Sequence, residues 1–159
     1  SSAWPLLVED SVEFESEPGF RVYRTLANSV KHILLNNQLP QLSDKRVRKA
    51  MMHALDRQRI IDDLWDGAAE VAHSNLSPKN AFYYNPDLPQ YDFNPAQARA
   101  MLDEAGWVEG SIGIREKDGV RAAIEYIGFP SAETTRVIEL MQATLRPIGI
   151  DRRLICAGC

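Results

Sequence analysis

Three histidines and two cysteines are the side chains of this sequence best suited to metal binding or nucleophilic chemistry. His32, His53 and His73 lie far apart, and none has the short spacing to another histidine or to a cysteine that a zinc site requires. Cys156 and Cys159 form a C-x-x-C pair, but they follow a predicted strand, whereas redox pairs of this type begin a helix whose dipole lowers the thiol pKa. We therefore expect no metal site, and we interpret the cysteine pair as incidental.

The sequence also lacks the motifs of common catalytic and nucleotide-binding sites. It contains no G-x-G-x-x-G, Walker A, H-E-x-x-H or G-x-S-x-G pattern. Residues 110–113 (GSIG) have neither the spacing nor the strand-to-helix turn of a nucleophile elbow. We expect no enzymatic activity, no catalytic residue and no cofactor.

Composition places the chain among ordinary globular proteins. Its 159 residues are 45% hydrophobic and 25% charged, with a net charge of -4, which suits one domain or one domain with an arm. No apolar run approaches the roughly 18–20 residues that span a membrane, and two cysteines exclude a disulfide-rich scaffold. The acidic balance disfavours nucleic-acid binding. We interpret the basic residues among 45–49 as the solvated face of a helix.

Boundary signals predict two successive helices between residues 43 and 67. Ser43 is the expected N-cap of the first helix and Asp56 that of the second, because their side-chain oxygens can accept from first-turn N–H groups. Gly67 can end the second helix in the left-handed conformation. The first helix has a buried stripe with helical spacing, formed by Val47, Ala50, Met51, Ala54 and Leu55.

Strands are expected before these helices and a long loop after them. Alternating or clustered apolar residues predict strands over 20–25 and 30–36. Residues 68–93 predict an ordered loop with a short strand near 69–73. Five aromatic residues of this region either hold the loop on the core, which we favour, or form the wall of a binding groove: Phe82, Tyr83, Tyr84, Tyr91 and Phe93.

The remaining residues predict helices and strands in alternation. A third helix begins at the Asn94 cap and ends at Gly106, with Trp107 folding back onto it. Asp118-Gly119 predicts a two-residue hairpin turn followed by a strand. A fourth helix capped by Ser131 and a strand over 151–155 complete a βαβ unit. The fold class is therefore α/β, with a mixed sheet and packed helices that include this βαβ unit.

Several blocks of the sequence resemble one known family. They are residues 42–51 (LSDKRVRKAM), 53–61 (HALDRQRII), 94–99 (NPAQAR), 101–107 (MLDEAGW) and 113–119 (GIREKDG). Their order and spacing resemble those of the dipeptide/oligopeptide-binding family, the extracellular solute-binding proteins of peptide ABC transporters. The resemblance covers about residues 30–155, and the quoted blocks consist of caps and turns, which are scaffold roles.

The resemblance implies a two-lobed fold like that of periplasmic binding proteins. Residues 1–29 would be an arm from the region between the lobes, and residues 30–159 part of the second lobe of a longer protein. Such a receptor is monomeric and extracytoplasmic, either free in the periplasm or lipid-anchored. It closes around a di- or oligopeptide and delivers it to a membrane permease driven by ATPase subunits. Alternatives are a receptor for a nickel complex, haem or a sugar, and a sensor or adhesion module without a permease.

The candidate ligand-binding residues lie in the turn between the last predicted helix and the strand before it. They are Phe129, Ser131 and Glu133, beside first-turn N–H groups that can face a carboxylate or carbonyl. A plain capping turn is the alternative interpretation. In the family, an acidic residue that meets the peptide N-terminus lies beyond the βαβ unit, so we expect this chain to hold at most one wall of the cleft.

Overall fold

A computed structural model describes residues 8–128 and 131–156. Within these ranges the chain forms six α-helices, one 3-10 helix and five strands. In chain order they are α1 (Val8–Glu15), α2 (Pro40–Ser43), α3 (Lys45–Ala54), α4 (Arg57–Trp65), α5 (Pro95–Glu104), β1 (Val108–Glu109), β2 (Arg115–Lys117), β3 (Val120–Arg121), β4 (Ala123–Gly128), α6 (Ala132–Leu145), the 3-10 helix (Arg146–Ile148) and β5 (Asp151–Cys156).

The chain separates into two compact units. One holds the segment up to residue 31 together with residues 58–88, and the other holds residues 32–57 and the chain from residue 89 onward. The second unit contains every strand of the described residues and most of the buried apolar side chains. The assignment of residues 1–29 to an arm and 30–159 to a partial lobe stays a prediction.

The pairing of α3 with α5 forms part of the core of the second unit. The stripe predicted on α3 is buried at Val47, Ala50, Met51 and Ala54. On α5, Ala98 and Leu102 are fully buried. The 3.6-residue spacing of apolar positions therefore identified the packed face of α3, except that Leu55 lies just beyond the helix and is only partly buried.

The cap of α3 differs from the prediction. Ser43 ends α2 and donates its hydroxyl hydrogen to the carbonyl of Pro40 at 3.0 Å. Asp44 is the N-cap instead, and its carboxylate accepts from the Arg46 amide at 2.8 Å. The reason is that Pro40 begins the short helix α2, so the chain enters α3 one residue later than expected.

The basic run on α3 is only partly a solvated face. Lys45 and Lys49 are exposed as expected. Arg46, in contrast, pairs with Asp44 and donates to the carbonyl of Glu104 at 2.7 Å. Arg48 donates to the carbonyls of residues 42 and 43 at 2.7 and 2.8 Å. The two arginines therefore connect α3 to the ends of α2 and α5.

The predicted ends of α5 are confirmed. The Asn94 side chain accepts from the Gln97 amide at 3.0 Å. At the other end, the Trp107 amide donates to the carbonyl of Leu102 at 3.0 Å, and Gly106 has a φ of +84°. This is the Schellman closure expected from the sequence, and it turns the Trp107 side chain into the core.

The strands form two sheets in the second unit. β1, β2 and β3 form an antiparallel sheet, and the Asp118-Gly119 turn joins β2 to β3 as predicted, with φ of +51° and +77°. The strand predicted from residue 120 onward is divided at Ala122. The Ala122 N–H donates to the carbonyl of Arg115, and the Ala122 carbonyl accepts from the Asp151 N–H. The chain therefore passes at Ala122 from the antiparallel sheet to the parallel pair.

The predicted βαβ unit is present in the structure. β4 and β5 pair in parallel, from Ala123 opposite Asp151 to Gly128 opposite Cys156, and α6 connects them. The Ser131 cap of α6 is confirmed by a hydrogen bond from the Thr134 amide. The apolar residues of α6 that are buried include Ile138, Leu140, Met141 and Leu145.

Three predicted strands are wrong. Residues 20–25, 30–36 and 69–73 lie in irregular structure. A strand requires a neighbouring strand for its N–H and C=O groups, and these segments pair with none in the described part of the chain. The helix α1, over an acidic segment with weak helix signals, is not predicted from the sequence.

A buried arginine connects three elements of the second unit. Arg115, in β2, is 5% exposed. Its Nε donates to the carbonyl of Ile148 at 2.9 Å, and its Nη1 donates to the carbonyl of Trp107 and pairs with the Asp103 carboxylate. Its backbone N–H donates to the carbonyl of Gly149 at 2.8 Å. A single side chain thus holds β2, the end of α5 and the 3-10 helix together.

Gly149 is required beside this arginine. It has a φ of +85°, and a Cβ there would lie 2.6 Å from the Cγ of Arg115. Gly149→Ala should cost about 1–2 kcal/mol for the left-handed backbone and about 1–3 kcal/mol more for displacing Arg115. Gly119→Ala is the matched control, since its φ is +77° with open space around it. Thermal unfolding of the whole protein should show a larger loss of stability for Gly149→Ala, and equal losses would contradict this role of Arg115.

The Asp44 cap makes stability depend on pH in the acid range. Hydrogen bonds from Arg46 lower the pKa of Asp44 from 3.8 to about 2. Because the folded-state pKa is depressed, this stabilisation is complete above about pH 4 and is lost as the pH falls toward about 2. Asp44→Asn keeps a capping side chain without the charge. The Tm difference between the two proteins should shrink from about pH 5 to about pH 2.5; an unchanged difference would contradict this account.

Candidate functional site

Of the three histidines, His53 is packed and His32 is exposed, while His73 has a buried Nδ1 without a hydrogen-bond partner among the described residues. His53 is buried, and its Nδ1 lies 2.9 Å from the carbonyl of Asp92, while the Tyr91 ring packs edge-on against it at 5.4 Å. Among residues 8–128 and 131–156, no group of three His, Cys, Asp or Glu side chains is arranged to hold a metal ion.

The near-match to a nucleophile motif is a tight turn between two strands. The Gly113 amide donates to the carbonyl of Gly110, and the Gly110 amide donates to the carbonyl of Ile114, both at 3.0 Å. This turn lies between β1 and β2, and no helix follows it directly. Ser111 is therefore an exposed turn residue, without the strand-to-helix geometry of a hydrolase nucleophile.

The carboxyl ends of β4 and β5 lie next to the start of α6. The two strands end together, Gly128 opposite Cys156, and α6 begins at Ala132. In α/β sheets, ligands bind beyond the carboxyl ends of parallel strands, where helix N-termini present unpaired N–H groups. We call residues 126–128 and 131–134 the strand-end site.

Ser131 and Glu133 lie together at this site, while Phe129 lies outside the described residues. The Ser131 hydroxyl accepts from the Thr134 amide at 3.0 Å and donates to the Thr134 hydroxyl at 2.9 Å. Its carbonyl accepts from the Thr135 hydroxyl at 3.0 Å. The hydroxyl of Ser131 is thus committed to capping α6. The Glu133 carboxylate is on the exposed first turn, where the helix dipole favours a negative charge.

Two further residues of the strand-end site are not singled out by the sequence. A Cβ on Gly128 would lie 2.7 Å from Cε1 of Tyr126 and 3.0 Å from Cγ2 of Thr134. The tyrosine ring, which is half-buried, therefore extends along the strand toward its carboxyl end. The alternating burial of side chains along β4 places Tyr126 on the inner face. In the sequence, the glycine at position 128 is the one sign that a neighbouring group lies close to the end of the strand.

The aromatic residues of the loop at 68–93 do not all pack on a core. Phe82 and Tyr83 are 89% and 74% exposed, with their rings edge-on to each other at 4.8 Å. The interpretation that they hold the loop on the core is wrong for this pair and for Phe93, which is 49% exposed. It holds for Tyr91, which packs against His53. The exposed pair lies within a hydrogen-bonded turn, in which the carbonyl of Asn80 accepts from the Tyr83 amide at 2.9 Å.

A surface depression of about 490 Å³ lies away from the strand-end site. It is lined by the second half of α6 and the 3-10 helix, through Glu139, Gln142, Ala143, Arg146 and Pro147. Glu139 follows Ser131 by eight residues, which is about 12 Å along a helix. The depression and the strand-end site are therefore separate features.

None of the helices in the described ranges is long and apolar enough to cross a membrane.

A family model supplies the identification. The model for bacterial extracellular solute-binding proteins, family 5 (middle), matches residues 3–155. The chain belongs to this family. Its members are solute-binding proteins that work outside the cytoplasm and are not enzymes, which agrees with the prediction from the sequence. The resemblance to peptide-binding proteins of ABC transporters is likewise confirmed.

Relatives of this solute-binding protein include a receptor for oligopeptides. The oligopeptide-binding protein AppA of Bacillus subtilis is 33% identical over 137 residues, covering 82% of this chain and 25% of the relative. Its structure in complex with a nonapeptide matches at a TM-score of 0.72 and 31% identity, over 77% of this chain and 25% of that one.

One other relative was solved with a metal chelate, and another is named as nickel-binding. NikA of Brucella suis, solved with Fe(III)-EDTA, matches at a TM-score of 0.70 and 38% identity, over 77% of this chain and 25% of that one. The nickel-binding periplasmic protein of Escherichia coli is 28% identical over 153 residues, covering 94% of this chain and 29% of the relative. This chain thus spans about a quarter of the length of the relatives it matches.

The capping role of Ser131 has a measurable consequence. Ser131→Ala should destabilise α6 by about 1 kcal/mol, because the Thr134 amide loses its acceptor. Ser131→Asp should cost only a few tenths of a kcal/mol, since aspartate also caps and its charge suits the helix N-terminus. Thermal unfolding of the whole protein distinguishes the two. A Ser131→Ala variant as stable as the original would contradict the capping role.

Proposed function

We propose that this chain is part of the substrate-binding component of a peptide ABC importer. The whole protein binds di- or oligopeptides in a cleft between two lobes and delivers them to the permease. The observation that supports this most strongly is the family match over residues 3–155, together with the similarity to AppA, whose solved structure contains a nonapeptide. Because the chain covers a quarter of that structure, the activity is a property of the whole protein.

The strand-end site forms one wall of this cleft, with Ser131 and Glu133 facing the ligand, while Phe129, which lies outside the described residues, stays a candidate from the sequence. First-turn N–H groups of α6 suit a carbonyl or carboxylate of a peptide. Ser131 sets their position through its cap, since its hydroxyl is already used by Thr134. The partners of the opposite wall lie in the other parts of the whole protein.

Closure of the two lobes transmits ligand binding to the membrane partners. A ligand that touches both walls binds the closed state more tightly than the open one, and this difference shifts the population toward closure. The protein works outside the cytoplasm as a monomer, free in the periplasm or lipid-anchored. Its partners are the permease and ATPase subunits of the importer.

A non-peptide solute is the second candidate ligand. The nickel-binding periplasmic protein of Escherichia coli is 28% identical to this chain over 94% of its length. Relatives that bind peptides and relatives that bind nickel share the scaffold. The caps and turns of this chain therefore do not decide whether its ligand is a peptide or a non-peptide solute. A sensor or adhesion module would share the ligand but lack the permease.

Native mass spectrometry of the whole protein, purified without denaturation, tests the proposal. We expect a ladder of bound masses that fragment as di- to oligopeptides. Ser131→Asp should lower their occupancy, because it adds a negative charge where α6 faces peptide oxygens. Ala143→Asp is the matched control. It adds the same charge at an exposed position of the same helix, twelve residues and about 18 Å further along.

Each other outcome has a definite meaning. A single bound metal complex, haem or sugar would favour the second candidate. A protein that stays empty when challenged with peptide pools would contradict peptide binding. Peptide binding without association with a permease would favour a sensor or adhesion module. Equal peptide occupancy in the Ser131→Asp and Ala143→Asp variants would show that the strand-end site is not part of the cleft.

A further inference from the structure

Tyr126 carries the last side chain of β4 that faces the interior, since the only later residue on that face is Gly128. Along this strand, Ile124 and Tyr126 are half-buried, whereas Ala123, Glu125 and Ile127 are exposed. Two residues later the strand ends at Gly128, next to the start of α6. Tyr126 is therefore the inner-face side chain closest to the edge where α/β sheets bind ligands.

The space around Gly128 shows where the tyrosine ring lies. A Cβ at this glycine would meet the ring edge of Tyr126 at 2.7 Å and the methyl group of Thr134 at 3.0 Å. The ring edge and the Thr134 methyl group thus both lie next to the position that a side chain at residue 128 would occupy. Any residue other than glycine at position 128 must push the ring or the helix aside. Glycine here keeps an aromatic ring at the edge of the sheet.

We propose that Tyr126 is a specificity-determining residue, whose ring contacts apolar and aromatic side chains of the bound peptide. The inference rests on the proposed function and names the peptide class that it favours. Tyrosine offers a large contact area with only two side-chain torsions to restrict. The adjacent N–H groups of α6 suit the peptide backbone, while the ring suits a neighbouring side chain.

Binding of matched peptide pools to the whole protein tests this role. One tripeptide pool carries Phe, Leu and Tyr, and the other carries Gly, Ser and Asn, with equal net charge. Their competition for the protein, measured by native mass spectrometry, gives a preference ratio. Tyr126→Leu should lower the preference for the aromatic pool about fivefold, the size of a typical aromatic pair contribution. Tyr126→Phe should change it less than about twofold, because the ring remains.

Variants near Tyr126 separate recognition from packing. Ile124→Val removes one methyl group from the same face of β4 without reaching the strand end, and it should leave the ratio unchanged. Gly128→Ala should reduce the ratio as Tyr126→Leu does, because its Cβ displaces the ring. In the Tyr126→Leu background, Gly128→Ala should have little further effect on the ratio. This non-additivity is expected only if both changes act through one ring.

The outcomes distinguish this inference from the proposed function. If the original protein binds neither pool, the proposed function itself is wrong. If it binds peptides but Tyr126→Leu leaves the preference ratio unchanged, Tyr126 is only a packing residue. A uniform loss of affinity for both pools, matched by Ile124→Val, would also assign it to packing.

Discussion

A buried guanidinium sets the main constraint on this structure. Removing Arg115 from water is costly unless acceptors surround it, and the chain supplies them from separate elements. The carbonyl of Trp107 comes from the end of α5, and that of Ile148 from the 3-10 helix before β5. Because Ala122 bonds to both Arg115 and Asp151, the same junction sets where β4 and β5 begin to pair. Arg115, which lies near the start of β4, therefore helps to set the position of the sheet edge at which β4 and β5 end.

This arrangement separates the residues that identify the family from those that would meet a ligand. The matching blocks contain the Asp44 cap, the Gly106 closure, the Asp118-Gly119 turn and Arg115 itself. All of these hold backbone in place. The strand-end site lies at the opposite end of β4, next to the Ser131 cap of α6. Such a division explains how relatives with peptide and nickel ligands can share one scaffold.

Features with local physical causes could be predicted from the sequence, and features that depend on distant partners could not. The Asn94 cap, the Gly106 closure and the hairpin turn depend on a few neighbouring residues, and all three are confirmed. The strands expected over 20–25 and 30–36 fail because pairing requires a partner elsewhere in the chain. In the site, Ser131 and Glu133 lie at the same turn, as their spacing implies. The direction of the Tyr126 ring depends on α6 and is visible only in three dimensions.

The central claim is that a scaffold held by Arg115 presents the strand-end site to a bound peptide. A crystal structure of the whole protein with a bound peptide tests it most directly. The account predicts peptide atoms in van der Waals contact with Tyr126 and in hydrogen-bond reach of the first-turn amides of α6, with Arg115 buried as it is here. A peptide bound elsewhere, with residues 126–134 covered by another segment of the protein, would contradict it.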